Sequence, residues 1–445
     1  MGAFQTDHGR WRPITVVALA LMLAAAIPCS AADPGPVPDA LREKLKLDPF
    51  YQRHVDAGGL PVVGSAKVSD HAMAEAAWIV ARMLDGRDDI VKAMRANRVR
   101  IAVMAATEVT TDLPEHAKLR PKFYWDRRAR GLGATLSAPA VSCGEENLLG
   151  YPGDPYPGEN IFVHEFAHAI HGTGMGTVDP AFDGRLKATY KAALDRGLWK
   201  NTYASGSVGE YWAEGVQSWF DDNAPKDALH NGVRTRAHLK EYDPELAKLC
   251  EGVFGDKAWR YQRPATRDEA NRAHLKGYDP KSLPKFVWKE VPLGDKPRAT
   301  IQTSFGDFEV EADAKAAPEA VAAFFKIALQ GGYHGGHIES AAENADRGVL
   351  LAGTTAGWKA GGGKRWKADD IPASKAAPAA GTVSLRRDTA AIVVFVGEPS
   401  EPDPDAVPIG RVVKGEAVLK KLLAAAAMPA DPKQPFEVRR VIRTE

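Results

Sequence analysis

The sequence predicts an α+β protein in two parts. The first, over residues 33–290, mixes helices with strands; the second, over residues 298–445, opens with a β-hairpin and a helix. Three observations carry this reading. Apolar residues at helical spacing in "DHAMAEAAWIVARML" (Asp70–Leu84) stand near the β-branched run "VRIAVMAA" (Val99–Ala106). Prolines and lysines then cluster around residues 281–298, in "KSLPKFVWKEVPLGDKPRA", which marks a boundary. Past it, "ATIQTSFGDFEVEAD" alternates as a hairpin turning at Gly306-Asp307.

Element by element, the chain begins with Arg10 and Arg12, the apolar run "ITVVALALMLAAAI" (Ile14–Ile27) and the small residues "CSAAD" from Cys29. That layout predicts a secretory signal over residues 1–32, cut after Ala31 or Ala32, and hence a secreted or periplasmic protein. The run is short for a membrane anchor, and no stable span is expected elsewhere. A Pro-rich lead-in precedes a helix around "ALREKLKL", and Asp70 is available to cap the helix that follows it. "LGATLSAPAVSCGEENLL" reads as strand and loop, and "YPGDPYPG" (Tyr151–Gly158) is turn chemistry. The helix behind that turn should stop at Gly172. "RAHLKEYDP" (Arg236–Pro244) recurs as "RAHLKGYDP" (Arg272–Pro280), a duplicated helix-and-cap element with no function assigned. In the second part, "APEAVAAFFKIALQGG" predicts a helix with Pro318 in its first turn and Gly331 past its end.

Charge excludes some partners. With 58 Lys+Arg against 57 Asp+Glu, nothing argues for nucleic acid. Beyond the signal, Cys143 and Cys250 remain; they can pair in an exported protein or stay as buried thiols.

The chemistry concentrates in "NIFVHEFAHAIHGTG" (Asn160–Gly174), an apolar helix with a polar stripe. His164 and His168 stand at i and i+4, so both rings lie on one face and can reach one ion. Zn²⁺ suits imidazole, and Glu165 of this H-E-x-x-H stands where it can take a proton from an activated water. Buried imidazoles and carboxylates need partners, and a metal would satisfy them together. The bland alternative is a pair of core histidines hydrogen-bonded to neighbours.

A third ligand must come from elsewhere. A metzincin would continue H-x-x-G-x-x-H, but His171 stands where its glycine belongs and Gly174 where its histidine belongs. His171 is read as a group behind the ligands or at the rim of the site, since one straight helix rarely supplies three ligands. Asp179 follows too soon. The stronger candidate is "YASGSVGEYWAEGVQSWF" (Tyr203–Phe220), where Glu210 and Glu214 share a helix face at i and i+4. One carboxylate can ligate zinc, and the other can accept the outer N–H of a ligand histidine.

"HEFAH" together with "Y-x6-E-Y-W-A-E" resembles the catalytic domain of anthrax lethal factor and its gluzincin-type relatives. The resemblance covers residues 145–225. It implies a zincin-like fold for the first domain, zinc ligands His164, His168 and Glu210, Glu165 as general base, and Tyr203 as oxyanion donor. Glu214 is left to accept the outer N–H of a ligand histidine.

Residues 299–443 resemble a cyclophilin, the β-barrel prolyl isomerase family, through "ATIQTSFGDFEVE", "APEAVAAFFKIALQGGYHGG" and "PIGRVVKGEAVLKKLL". Where that family carries Phe-His-Arg, this chain has Ile338, Glu339 and Ser340, and "LLAGTT" (Leu350–Thr355) replaces its glutamine segment. Arg347 is the nearby arginine that could stand in. Serine cannot supply the cationic donor, so the resemblance implies a binding or packing module without isomerase activity. The expectation is an exported zinc metallopeptidase hydrolysing a peptide or protein substrate. The alternatives are a peptidyl-prolyl isomerase or peptide-binding protein with a vestigial zinc site, and a scaffold that keeps zinc but hydrolyses nothing.

Overall fold

The computed structural model describes residues 33–227, 229–289, 292–329, 332–333, 336–344, 347–352, 379–387, 389–396, 405–426 and 437–444. The segment read as a signal lies outside them. Among the described residues no helix is long and apolar enough to cross a membrane.

The first part is built on a six-stranded sheet in the order β1-β2-β3-β4-β6-β5. Its strands are β1 (Gly35–Pro36), β2 (Arg53–Ala57), β3 (Leu60–Gly64), β4 (Arg100–Met104), β5 (Gly131–Leu132) and β6 (Ala140–Gly144). β3, β4 and β6 pair in parallel, whereas β2 and β5 join antiparallel. Every residue of β3, β4 and β6 is buried, as parallel strands covered on both faces require. Alternate side chains divide between two layers. Val62, Ile101, Val103 and Val141 face the main core with the histidine helix, while Val63, Ala102, Met104 and Ala140 face Tyr51 and Leu113.

The helix expected from Asp70 runs Asp70–Met83, but Ser69 holds the N-cap position and Asp70 instead pairs with Arg53. Its Glu75 is fully buried, held by Arg267 at 2.5 and 2.9 Å and by His274 at 2.8 Å. Arg267 in turn lies 4.1 Å over the Trp78 ring. Cys143 on β6 and Cys250, in the helix Pro244–Phe254, are both buried free thiols.

Two expectations about helices fail. The nonapeptide repeat is a helix once only: Arg236–Tyr242 is helical and Asp243 caps the following helix at Leu246 N, while the second copy follows a 3₁₀ turn at Ala270–Arg272, which takes in only its first residue, and is otherwise turn and irregular chain. Gly277, at φ +79°, replaces Glu241 in that copy, and its His274 is drawn onto Trp78 and Glu75. Gly172 does not stop the histidine helix either. The backbone runs on as a π-helix over Ile170–Met175, with Thr173 Oγ1 donating to Ala169 O and Asn97 Nδ2 donating to Thr173 O. Gly174 lets this turn press against Ile90 and Met94, where a Cβ would meet Ile90 Cγ2 at 2.9 Å.

The second part is a closed eight-stranded barrel, in the order β10-β12-β11-β13-β8-β7-β14-β9. Its strands are β7 (Arg298–Thr303), β8 (Gly306–Ala312), β9 (Gly336–Asn344), β10 (Arg347–Ala352), β11 (Thr382–Arg386), β12 (Ile392–Phe395), β13 (Ala406–Lys414) and β14 (Glu437–Arg443). Helices Pro318–Leu329 and Glu416–Ala426 accompany it. The first hairpin turns at Ser304-Phe305, two residues before the expected place, because Thr303 pairs with Gly306 and donates its hydroxyl to Gly306 O. A separate hydrophobic core of Ile301, Phe308, Phe324, Leu385 and Leu422 fills this part. The connector before it is pinned to the first part, where Phe286 N donates to Pro152 O at 2.8 Å.

One short helix, Lys122–Arg128, joins the two parts. Arg443 of β14 lies 4.2 Å over the Phe123 ring and Arg440 lies 5.4 Å over Tyr124.

Candidate metal centre

The histidine helix spans Ile161–Ala169 because Asn160 stops the preceding turn and caps it. Its Oδ1 accepts from Phe162 N at 2.9 Å, and its own N–H reaches the Asp222 carboxylate at 3.0 Å. The glutamate helix, Val208–Trp219, starts where Ser207 Oγ accepts from Glu210 N at 3.1 Å. Trp212 ties the two together, donating its indole N–H to Ala167 O at 2.9 Å. On the other side β5 approaches so closely that only glycine fits. A Cβ on Gly133 would stand 2.6 Å from His168 Cβ, and one on Gly131 would stand 2.9 Å from Glu165 Cγ.

These supports bring three donor atoms into a triangle. His164 Nε2 is 3.1 Å from His168 Nε2, and Glu210 Oε2 is 3.0 Å from the first and 3.3 Å from the second. A tetrahedral ion with arms of ~2.0–2.1 Å spaces its donors about 3.3 Å apart, so the set fits Zn²⁺. The protonation pattern fits too. Gln217 Nε2 donates to Glu159 Oε2 at 2.9 Å, which turns Oε1 towards His164 Nδ1 at 2.7 Å. This contact fixes a hydrogen on His164 Nδ1, so that once the ring gives up its second proton the Nε2 lone pair points into the triangle.

The electrostatics match a charged centre. Burial opposes a charge on His164, yet the bond to Glu210 and the fields of Glu165, Glu214 and Glu210 outweigh it and raise its pKa to about 10. Burial likewise opposes the Glu210 charge, but His164 and His168 overcome it and hold the carboxyl well below its usual range. Burial raises the pKa of Glu165, with both histidines pulling the other way. The Tyr203 hydroxyl is pushed up to about 12 by burial and by Glu210.

Of the remaining sequence candidates, Tyr203 sits in a 3₁₀ turn with its ring centroid 6.1 Å from that of His164, and its hydroxyl accepts from Arg128 at 3.2 Å. Glu214 is buried, but its Oε1 lies 3.8 Å from His164 Nδ1 and 3.7 Å from His230 Nε2. The histidine's close partner is Gln217 instead, one turn further along. His171 turns away from the triangle, to Asp183 at 3.3 Å and towards the Phe182 ring. Spacing alone could have flagged Gln217, at i+7 from Glu210 on the same helical stripe. Glu159, Glu214 and His230 form a second group of donors, all within 4.8 Å of one another, behind the first. The side chains at 339, 340 and 347, on which isomerase chemistry would turn, lie outside the described residues, as do residues 353–355.

Comparison with known proteins reaches the barrel. The family model of cyclophilin type peptidyl-prolyl cis-trans isomerase/CLD matches residues 298–443. Among solved structures, a cyclophilin-type peptidyl-prolyl cis-trans isomerase of Cryptosporidium parvum is 16% identical, over 34% of this chain and 98% of its own, with TM-score 0.28. The same protein in the presence of the dipeptide Ala-Pro gives 16%, 33%, 99% and 0.27. The Mimivirus cyclophilin gives 17%, 34%, 91% and 0.28. No curated protein sequence matches. The chain is thus a mixed α/β protein with a C-terminal cyclophilin-type domain. The family match over residues 298–443 favours the isomerase or peptide-binding alternative over the peptidase expectation, and nothing found shows a gluzincin or lethal-factor domain.

Proposed function

We propose that this chain is an exported zinc-dependent metallopeptidase, with a zincin-like first domain and a cyclophilin-type barrel that does not isomerise proline. The observation supporting the reading is the triangle of His164 Nε2, His168 Nε2 and Glu210 Oε2, with spacings of 3.0–3.3 Å. Zinc bound there would act as a Lewis acid and lower the pKa of a bound water. Glu165, partly buried and with a raised pKa, takes the proton of the attacking water and passes it to the leaving amine nitrogen. Tyr203, whose raised pKa keeps its hydroxyl protonated, donates to the carbonyl oxygen as that oxygen gains charge. Gln217 holds His164 in the ligating tautomer.

A second reading, a peptidyl-prolyl isomerase or peptide-binding protein, has the family match over residues 298–443 behind it. One experiment separates the two. The purified protein should hold one zinc per chain and cleave peptides, and Glu165→Gln should keep the zinc while losing about 10²–10⁴-fold in rate. Equal cleavage by the zinc-loaded variant, or proline isomerisation without any cleavage, would reject the peptidase reading.

A further inference from the structure

The cavity beside the triangle, about 450 Å³, does not end in the first part. His164, Glu165 and Tyr203 line one end, while Leu329, Tyr333 and Arg440 of the barrel part line the other. Between them stands the helix Lys122–Arg128, whose Tyr124 and Arg128 also face the cavity. Tyr124 and Arg128 are i and i+4, so they share a helix face one turn apart. Arg440 lies 5.4 Å over the Tyr124 ring and lines the same cavity as Arg128.

The charges are unevenly used. Arg130, on the same wall, is 1% exposed and committed to Glu146 at 2.6 and 2.8 Å. Arg128 and Arg440 are exposed, and among the described residues neither has a carboxylate within ion-pair distance. Among the described residues Arg128 donates to the Tyr203 hydroxyl, at 3.2 Å. A guanidinium is a planar fork of donors matched to carboxylate, and stacking on an aromatic ring orders it beforehand. Two such forks thus share one cavity with Glu165 and with His164 of the donor triangle, one of them supplied by the barrel.

We propose that this cavity binds a peptide carboxylate, an acidic side chain or a free C-terminus, between Arg128 and Arg440, making the barrel the substrate-selecting wall of the metal site. This rests on the peptidase reading for its consequence but not for its measurement. The probes are fluorescein-labelled alanine hexapeptides carrying one Glu or one Gln at each position in turn, with free or amidated C-termini. They are titrated by anisotropy against full-length, zinc-loaded Glu165→Gln protein, which binds without cleaving.

At one position the Glu peptide, or the free-acid terminus, should bind about tenfold tighter than its neutral twin, with the advantage shrinking in salt. Arg128→Gln and Arg440→Glu should each erase that ratio, while zinc content and circular dichroism of Arg440→Glu stay as in the parent. Arg440→Lys should retain part of the ratio. A preference persisting in amidated peptides assigns the side chain; one lost on amidation assigns the terminus. Equal binding of acidic and neutral peptides, no binding of either, or a preference surviving in the Arg128→Gln, Arg440→Glu double variant would overturn the proposal. Acid-selective binding with no cleavage by the unmutated protein would sink the peptidase reading and spare the cavity. Cleavage without acid preference would do the reverse.

Discussion

The two cores of this chain hide very different things. Around the histidine helix the interior holds His164, Glu214, Gln217 and Asn160, and further off Glu75 and Glu146 buried against Arg267 and Arg130. Inside the barrel, the buried polar side chains among the described residues are Thr303, Ser384 and Arg443. Burying an ion costs several kcal/mol unless partners repay it in hydrogen bonds and opposite charge. The first core meets that cost with networks in which nearly every group has an assigned neighbour. The barrel avoids the cost by being apolar. The clustered titratable groups on which the proposed metal chemistry would rest therefore lie in the first core, and the barrel adds an edge of charge to the cavity beside them.

The sharpest way to break this contrast is to delete one member of a buried network. Glu75→Ala leaves Arg267 and His274 without their carboxylate, and should cost about 3–5 kcal/mol in denaturant unfolding. A loss under about 1 kcal/mol would mean the network contributes little. Next comes the metal ligand's support. Gln217→Ala should weaken zinc about 10–100-fold by competition with a chelator, and Glu214→Ala should do less, since its oxygen stands 3.8 Å from the ring nitrogen against 2.7 Å for Gln217. The reverse order would make Glu214 the orienting group.

A third expectation follows from charge. In the metal-free protein the His164 pKa is raised from 6.5 to about 10, so its imidazole is protonated throughout that window. Zinc must displace that proton, so affinity should rise about tenfold per pH unit from about pH 7 towards 10 and then level. The sign for stability is opposite. A pKa raised on folding stabilises fully below 6.5, and that contribution fades as pH rises through 10. Metal-free protein should therefore lose stability over the same range, and calorimetry in buffers of different ionisation heat would count the proton released. The smallest effect belongs to the barrel. Ser384 Oγ is buried with no hydrogen-bond partner among the described residues, so Ser384→Ala should be neutral or stabilising by less than about 1 kcal/mol. A clear destabilisation would show a polar contact inside the barrel.

How much of this is legible in the residues depends on range. His164 with His168, and Glu210 with Glu214, announce themselves because a helix turns spacing into a shared face. Gln217 lies on that same stripe, but an amide does not advertise metal chemistry. Glu159 and His230 reach the cavity from loops, where no periodicity links them to the helix. The second nonapeptide departs from the helix its sequence predicts, because near-identical local sequence does not fix conformation once Gly277 replaces Glu241 and His274 finds a buried carboxylate. At Gly172 the packing of Gly174 on Ile90 and Met94 outweighs a glycine's tendency to end a helix. Arg128 and Arg440 lie more than three hundred residues apart, and only the folded protein shows that they share a cavity.

That shared cavity has a consequence for the order in which the protein is made. Every side chain of the donor triangle and its neighbours precedes residue 231, whereas the barrel's contribution begins with Ala328, about a hundred residues later. At about 5–20 residues per second, synthesis leaves roughly 5–20 s in which the donors exist but one wall has not been translated. A nascent or truncated polypeptide that captured metal in that interval would have its cleft open on one flank. It would lack Arg440 altogether and hold Arg128 on a helix with nothing stacked against its aromatic side.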